Sequence, residues 1–340
     1  MTARRVLTIA AVGALAALLL AACDMRTLSF HTSPASVAVH VVGGAGAMAQ
    51  TSNVPLVVAT PEAAAVVGPV PAAWGAPPRM RADAPQAPSG PAVAVLLFDE
   101  ASAQVLYHHN GNEPLAPASL TKIATAIVAI ERGDLDRRVT TDVDSRVMRG
   151  STVMGLIPGD EFTVRDLLYG MMLPSGNDAA LAIGRATSGS DSAFVEDMNK
   201  LAARLGLTET HFANPHGLNA PGHLTSAHDL ALLSRYAMTL PDFRAVVTTT
   251  AWVARGSRDI AVTNVINDVL YSIAGADGVK SGYTRQAGRT LVASATRNGH
   301  RLYAVVLNDQ QRLTDASALL EWGFRSFDWG TSVAALQSTP

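Results

Sequence analysis

A single cysteine in 340 residues excludes an internal disulfide, a cysteine-rich zinc site and an iron–sulfur cluster. Charge is scarce too: Asp, Glu, Lys and Arg make up 16% of the chain, well under the roughly 25% usual for soluble proteins. With 26 Lys+Arg against 28 Asp+Glu the net charge is −2, and no polybasic tract is present to release counterions from a phosphate backbone. No nucleic-acid partner is therefore expected. Aromatics are few, at 5%, yet hydrophobic residues reach 48%, which rules out a chain disordered throughout. No repeat of fixed period occurs. At roughly 100–200 residues per domain, the length suits one large domain or two ordinary ones.

What is present begins with an export signal. Arg4 and Arg5 precede an apolar run from Leu7 to Ala22, the charged and hydrophobic regions of a secretory leader. The run is short for a hydrocarbon core about 30 Å thick, so a permanent membrane span is the weaker reading. It ends Leu20-Ala21-Ala22-Cys23, which resembles a bacterial lipobox. The resemblance implies a signal peptide over 1–22 and a mature chain acylated at Cys23. Two or three acyl chains hold a protein stably on a membrane where one does not. A cleaved leader with a chance cysteine is the alternative. Asp24 resembles the inner-membrane retention signal of some Gram-negative lipoproteins.

Residues 23–91 read as a disordered Ala/Pro-rich tether. Ten of the 18 prolines fall within 24–91, with six charged residues and only Phe30 and Trp74 as aromatics. Such a segment offers little to offset its ordering entropy. A domain is expected over 92–328, followed by a short tail over 329–340. Val93–Phe98 and Gln104–His108 read as strands around a turn, and Thr290–Thr296 and Arg301–Leu307 as a hairpin about Asn298-Gly299. Helical spacing marks Ser119–Ile130, stretches near 163–172, 191–205 and 225–238, and a last helix near Asp315–Phe327. Strands at both ends with helices between predict one sheet built from distant segments, with a helical insertion.

Three short motifs carry chemistry. In Ser119-Leu120-Thr121-Lys122 the hydroxyl and the amine lie one helical turn apart, within hydrogen-bonding reach. A free serine is a poor nucleophile, and a lysine whose pKa is lowered by burial or a nearby cation can act as its base. In Pro174-Ser175-Gly176-Asn177, Ser175 could relay a proton to a leaving amine, and the Asn177 amide both donates and accepts. In Lys280-Ser281-Gly282-Tyr283-Thr284, glycine permits close approach of a substrate backbone to an edge strand, and Lys280 and Ser281 could bind a carboxylate. Taken singly, each string also reads as ordinary capping, turn or surface composition. The histidines His211, His216, His223 and His228 lack the tight spacing of a zinc motif and read as structural. No cofactor is expected.

The conjunction is more specific than its parts. Ser-x-x-Lys, Ser-x-Asn and Lys-Ser-Gly in this order form the motif set of penicillin-binding proteins and serine β-lactamases. From about Val93 to Phe327 the chain resembles the low-molecular-mass penicillin-binding proteins that are serine-type D-alanyl-D-alanine carboxypeptidases. Asn214-Pro215-His216-Gly217-Leu218 and Trp322-Gly323-Phe324 extend the likeness. It implies an α/β fold of α+β type, β-lactamase/transpeptidase-like: a mainly antiparallel sheet flanked by helices, with a helical subdomain. It makes Ser119 the acylated nucleophile, Lys122 its base, Ser175 and Asn177 the second element, and Lys280, Ser281 and Gly282 the carboxylate-binding strand. The backbone N–H groups of Ser119 and Tyr283 would form the oxyanion hole, and Arg312 is the candidate for a further carboxylate-binding arginine.

The implied reaction removes the terminal D-Ala of peptidoglycan stem peptides through a Ser119 acyl-enzyme that β-lactams also form. The implied setting is that of an exported, membrane-anchored lipoprotein facing the periplasm or cell wall. A D-Ala crosslink endopeptidase, a β-lactamase, and a sensor or scaffold that binds β-lactams without turnover are the alternatives. No Glu-x-Glu-Leu-Asn string supplies a deacylating carboxylate, so slow β-lactam turnover is expected.

Overall fold

The structure, a computed structural model, describes residues 72–329. The signal peptide, Cys23, the expected tether up to residue 71 and the tail beyond 329 lie outside the described residues. No described helix is long and apolar enough to cross a membrane.

The central sheet has five antiparallel strands: β2 (Ala94–Asp99), β3 (Gln104–His109), β8 (Ala276–Thr284), β9 (Gly288–Arg297) and β10 (His300–Leu307). Their spatial order is β3-β2-β10-β9-β8, which leaves β8 on an edge. Alternation along β10 shows why it is central. Tyr303, Val305 and Leu307 enter the larger core, while Leu302, Ala304 and Val306 enter a second core on the opposite face. The second core is closed by α8 (Arg312–Ser326) through Ala316, Leu319, Leu320 and Trp322, and by α7 (Asn267–Ser272) through Val269.

The larger core fills the space between the sheet and the remaining helices. At its centre lies α1 (Lys122–Glu131), buried from Lys122 to Ile130 on every side, as expected of a helix that is apolar around its whole circumference. A single 3₁₀ turn, Ala118–Thr121, feeds into it. Around it pack α2 (Val164–Met172), α3 (Asn177–Ser188), α4 (Asp191–Arg204), α5 (Ala227–Ala237) and α6 (Pro241–Thr248). Each fully buried aliphatic side chain in these two cores contributes about 1.5–3 kcal/mol. Two small hairpins flank the helices. One pairs β4 (Arg138–Thr140) with β5 (Glu161–Thr163), and the other pairs β6 (Ala251–Arg255) with β7 (Asp259–Thr263). Both hairpins, α6 and α7 are elements the sequence reading passed over. Trp252 of β6 stacks on Tyr169 with ring centroids 3.9 Å apart, so that hairpin is held by tertiary packing.

The expectation of a tether without fold up to residue 91 is corrected for its last twenty residues. Residues 72–91 lie along the domain. β1 (Arg79–Met80) pairs with β11 (Phe327–Asp328). The Ala72 carbonyl accepts from Arg235 Nη2 at 2.9 Å, Trp74 stacks on that guanidinium at 4.7 Å, and Pro85 O accepts from Trp322 Nε1 at 2.8 Å. Backbone carbonyls and one aromatic ring, rather than a run of apolar side chains, order this segment. At the other end the domain runs on past 328, where Trp329 packs against Phe324, Phe327 and His300.

Candidate active site

Ser119 sits inside the 3₁₀ turn and Lys122 opens the helix that follows, so the two side chains emerge one above the other. Lys122 Nζ is 2.9 Å from Ser119 Oγ, 2.5 Å from Asn177 Oδ1 and 2.7 Å from the His216 carbonyl oxygen. The lysine is fully buried, at 0% exposure. Burial holds its pKa well below the usual lysine value, the nearby Lys280 charge lowers it further, and Asp178 opposes both. A neutral amine in this place has two N–H groups for the two carbonyl oxygens and one lone pair for the serine hydroxyl proton. That is the geometry of a general base.

The second motif lies where α2 ends and α3 begins. Ser175 is buried in a left-handed conformation, φ 64°, and its carbonyl accepts from Thr152 Oγ1 at 2.7 Å. Asn177 donates from Nδ2 to Ser151 Oγ at 2.5 Å, which fixes its oxygen toward Lys122. Asp178, in the first turn of α3, reaches beyond its own helix. Its carboxylate accepts from the backbone N–H groups of Met154, Gly155 and Leu156 at 2.7–2.9 Å. It thereby ties the 151–156 loop, and with it Ser151, to the helix that carries Asn177.

Edge strand β8 brings the third motif alongside. Lys280 is 1% exposed and donates to the Ser281 carbonyl at 2.9 Å; burial, helped by the Arg312 charge, brings its pKa down to about 7. Gly282 packs directly on the nucleophile's turn, since a Cβ there would stand 2.8 Å from Ser119 N and 2.6 Å from Thr290 Oγ1. Arg312, the first residue of α8, donates from Nη1 to the Gly282 carbonyl at 2.8 Å. It therefore belongs to this strand's surroundings. Tyr283 is 63% exposed at the strand's open end. On the other side of Ser119, Gly217 has φ 91° and lies so close to the Ala118 carbonyl that any side chain would collide with it.

The four histidines go separate ways. His216 meets Leu218 N through Nδ1, His223 meets Thr121, His211 meets the Gly222 carbonyl and His228 lies 3.7 Å from Asp229. The contacts of His223 and Thr121 with the serine's turn escaped the sequence reading.

Residues 81–311 match the family described as D-alanyl-D-alanine carboxypeptidase. The chain belongs to this family. It is 38% identical over 262 residues to the D-alanyl-D-alanine carboxypeptidase DacC of Escherichia coli, covering 73% of this chain and 65% of that protein. To the D-alanyl-D-alanine carboxypeptidase DacF of Bacillus subtilis it is 35% identical over 246 residues, covering 70% and 63%. The chain thus spans just under two thirds of these relatives' length. Among solved structures, penicillin binding protein 6B of Escherichia coli superposes with a TM-score of 0.67 at 36% identity, covering 73% of this chain and 81% of that one. The expected fold class, an antiparallel sheet flanked by helices as in the DD-peptidases, is the one observed.

Proposed function

We propose that the protein is a serine-type D-alanyl-D-alanine carboxypeptidase acting on peptidoglycan stem peptides. The observation that carries this reading is the buried Lys122 amine, 2.9 Å from Ser119 Oγ and backed by two carbonyl oxygens. In the proposed reaction Lys122 takes the Ser119 proton as Oγ attacks the carbonyl of the penultimate D-Ala. The backbone N–H groups of Ser119 and Tyr283 receive the negative charge that develops on the carbonyl oxygen. Ser175 passes the proton from Lys122 to the departing D-Ala amine while the Asn177 amide oxygen holds Lys122 in place, and water then hydrolyses the Ser119 ester. Lys280, Ser281 and Arg312 hold the substrate's terminal carboxylate, with Gly282 letting its backbone approach.

β-Lactams would acylate the same oxygen and leave slowly. The leader, the Cys23 lipid anchor and the upstream tether complete the proposal: an exported lipoprotein held on a membrane and facing the periplasm or cell wall, its domain over residues 92–328 extended by the ordered segment from 72. Mass spectrometry of penicillin-treated protein is expected to locate the adduct on Ser119, with release of D-Ala from a peptide ending in D-Ala-D-Ala. Normal release and labelling by a Ser119→Ala protein would overturn the assignment.

A further inference from the structure

Behind the nucleophile's turn runs a chain of hydrogen bonds that the proposed reaction leaves unused. Ala213 N–H donates to His223 Nδ1 at 2.8 Å. His223 Nε2 lies 2.8 Å from Thr121 Oγ1, and Thr121 Oγ1 donates to the Ala118 carbonyl at 2.8 Å. A ring nitrogen that accepts from a backbone amide carries no proton, so the neutral imidazole has its N–H on Nε2 and donates it to Thr121. The threonine's own proton is then free for Ala118. The chain has one direction, from Ala213 through His223 and Thr121 to Ala118. Beyond Ala213 it is buried, with His223 3%, Thr121 0% and Ala118 1% exposed. Burial, with a smaller push from His211, lowers the His223 pKa to about 4, in keeping with a neutral ring.

The end of the chain is what gives it meaning. The Ala118 carbonyl and the Ser119 N–H belong to one planar peptide group, in which they point in opposite directions. Pinning the carbonyl fixes where the N–H points, and a hydrogen bond to the carbonyl polarises the amide so that its N–H donates more strongly. Ala118 also has φ 49°, a conformation that alanine avoids and that its surroundings must hold. The opposite side of the same peptide is packed by Gly282, close to Ser119 N.

We propose that Thr121 and His223 are positioning residues that aim and polarise the Ser119 N–H as an oxyanion donor, acting through the Ala118–Ser119 peptide without touching substrate. The inference rests on the reading of Ser119 as the acylated serine. No bond is made or broken along the chain; its protons stay where they are.

The test uses the full chain and benzylpenicillin, with two measurements: the second-order rate of acylation and the infrared carbonyl stretch of the isotope-edited acyl-enzyme ester. Thr121→Val keeps the side chain's shape and removes its hydroxyl. It is expected to slow acylation about 10- to 100-fold, short of the ~10²–10³ lost when an oxyanion donor is deleted, and to move the ester band to higher wavenumber. Thr121→Ser is expected to restore both. A Thr121→Val protein with an unmoved carbonyl band overturns the inference, whether or not its rate falls, because a merely structural role slows the reaction without altering the polarisation of the ester. Nitrogen-15 shifts of His223 in the unmodified protein give a check that needs no variant: a proton on Nδ1 instead of Nε2 also overturns it. Failure of the unmodified protein to acylate at Ser119 removes the parent reading instead, and this inference with it.

Discussion

Lys122 must lose a proton before it can accept one, and its surroundings favour that loss. Burial and the Lys280 charge both disfavour the ammonium form. Lys122→Arg keeps the positive charge and much of the reach but installs a group that does not deprotonate in proteins. Acylation by a fluorescent penicillin, followed by stopped flow, should fall about 10²–10⁴-fold, the range for loss of a general base. An arginine variant acylated within a few-fold of the natural rate would show that the amine is not the base. His223 gives a second prediction, on stability. Its folded pKa of about 4 lies below the ordinary 6.5. Between those values the unfolded chain binds the proton and the folded one does not, so stability rises with pH across the window. Acidification from 6.5 to 4 should therefore remove up to about 3 kcal/mol through this one buried ring. Urea titrations at pH 7 and 4.5 should show a smaller difference for His223→Gln, and identical differences would remove the linkage.

Asp178 sets the relation between two elements. It sits in the first turn of α3, where the helix dipole favours an anion, and gathers the amides of the 151–156 loop. Asp178→Ala would leave three backbone N–H groups short of an acceptor and cost about 3 kcal/mol or more. It should also slow acylation, because Ser151 would no longer be held against Asn177. A variant with unchanged denaturant midpoint and unchanged acylation would contradict both. At this scale much was legible in advance. Short strand-like runs around turn residues marked β2, β9 and β10, helical spacing marked α1, α4 and α5, and the three motifs singled out Ser119, Lys122, Asn177 and Lys280. Other parts left no mark. The His216 and Ala118 carbonyls could belong to any residue, and Thr121 and His223 are common residues whose role comes from tertiary placement. The hairpin of β6 and β7 consists of two five-residue strands, docked through Ala254, Ile260 and Val262 in the larger core and through Trp252 on Tyr169.

Over the whole molecule, the sheet has a reactive end and a far end. Gly282 pairs with Thr290 at one end, while the turn after Asp99 lies at the other. The ordered segment before β2 is fastened first at that far turn: Trp74 and Gly75 donate their backbone N–H groups to Ala101 O, and Arg235 links Ala72 O to Glu100 O. It then follows the α8 side through β1, paired with β11, and through Pro85. The described part of this segment thus begins at the pole opposite Ser119. Removing residues up to Asp83 would strip the Ala72 and Trp74 contacts and the β1 pairing while leaving Pro85 and Gly90 in place. A loss of about 2 kcal/mol corresponds to a melting point lower by roughly 4–8 °C in a domain of this size. Acylation by penicillin should stay within about twofold of the full chain, because the bonds around Lys122 lie at the other end of the sheet. A truncated protein that melts like the full chain would show that the segment does not brace the domain. One that melts lower but also acylates tenfold more slowly would show that the two poles are coupled.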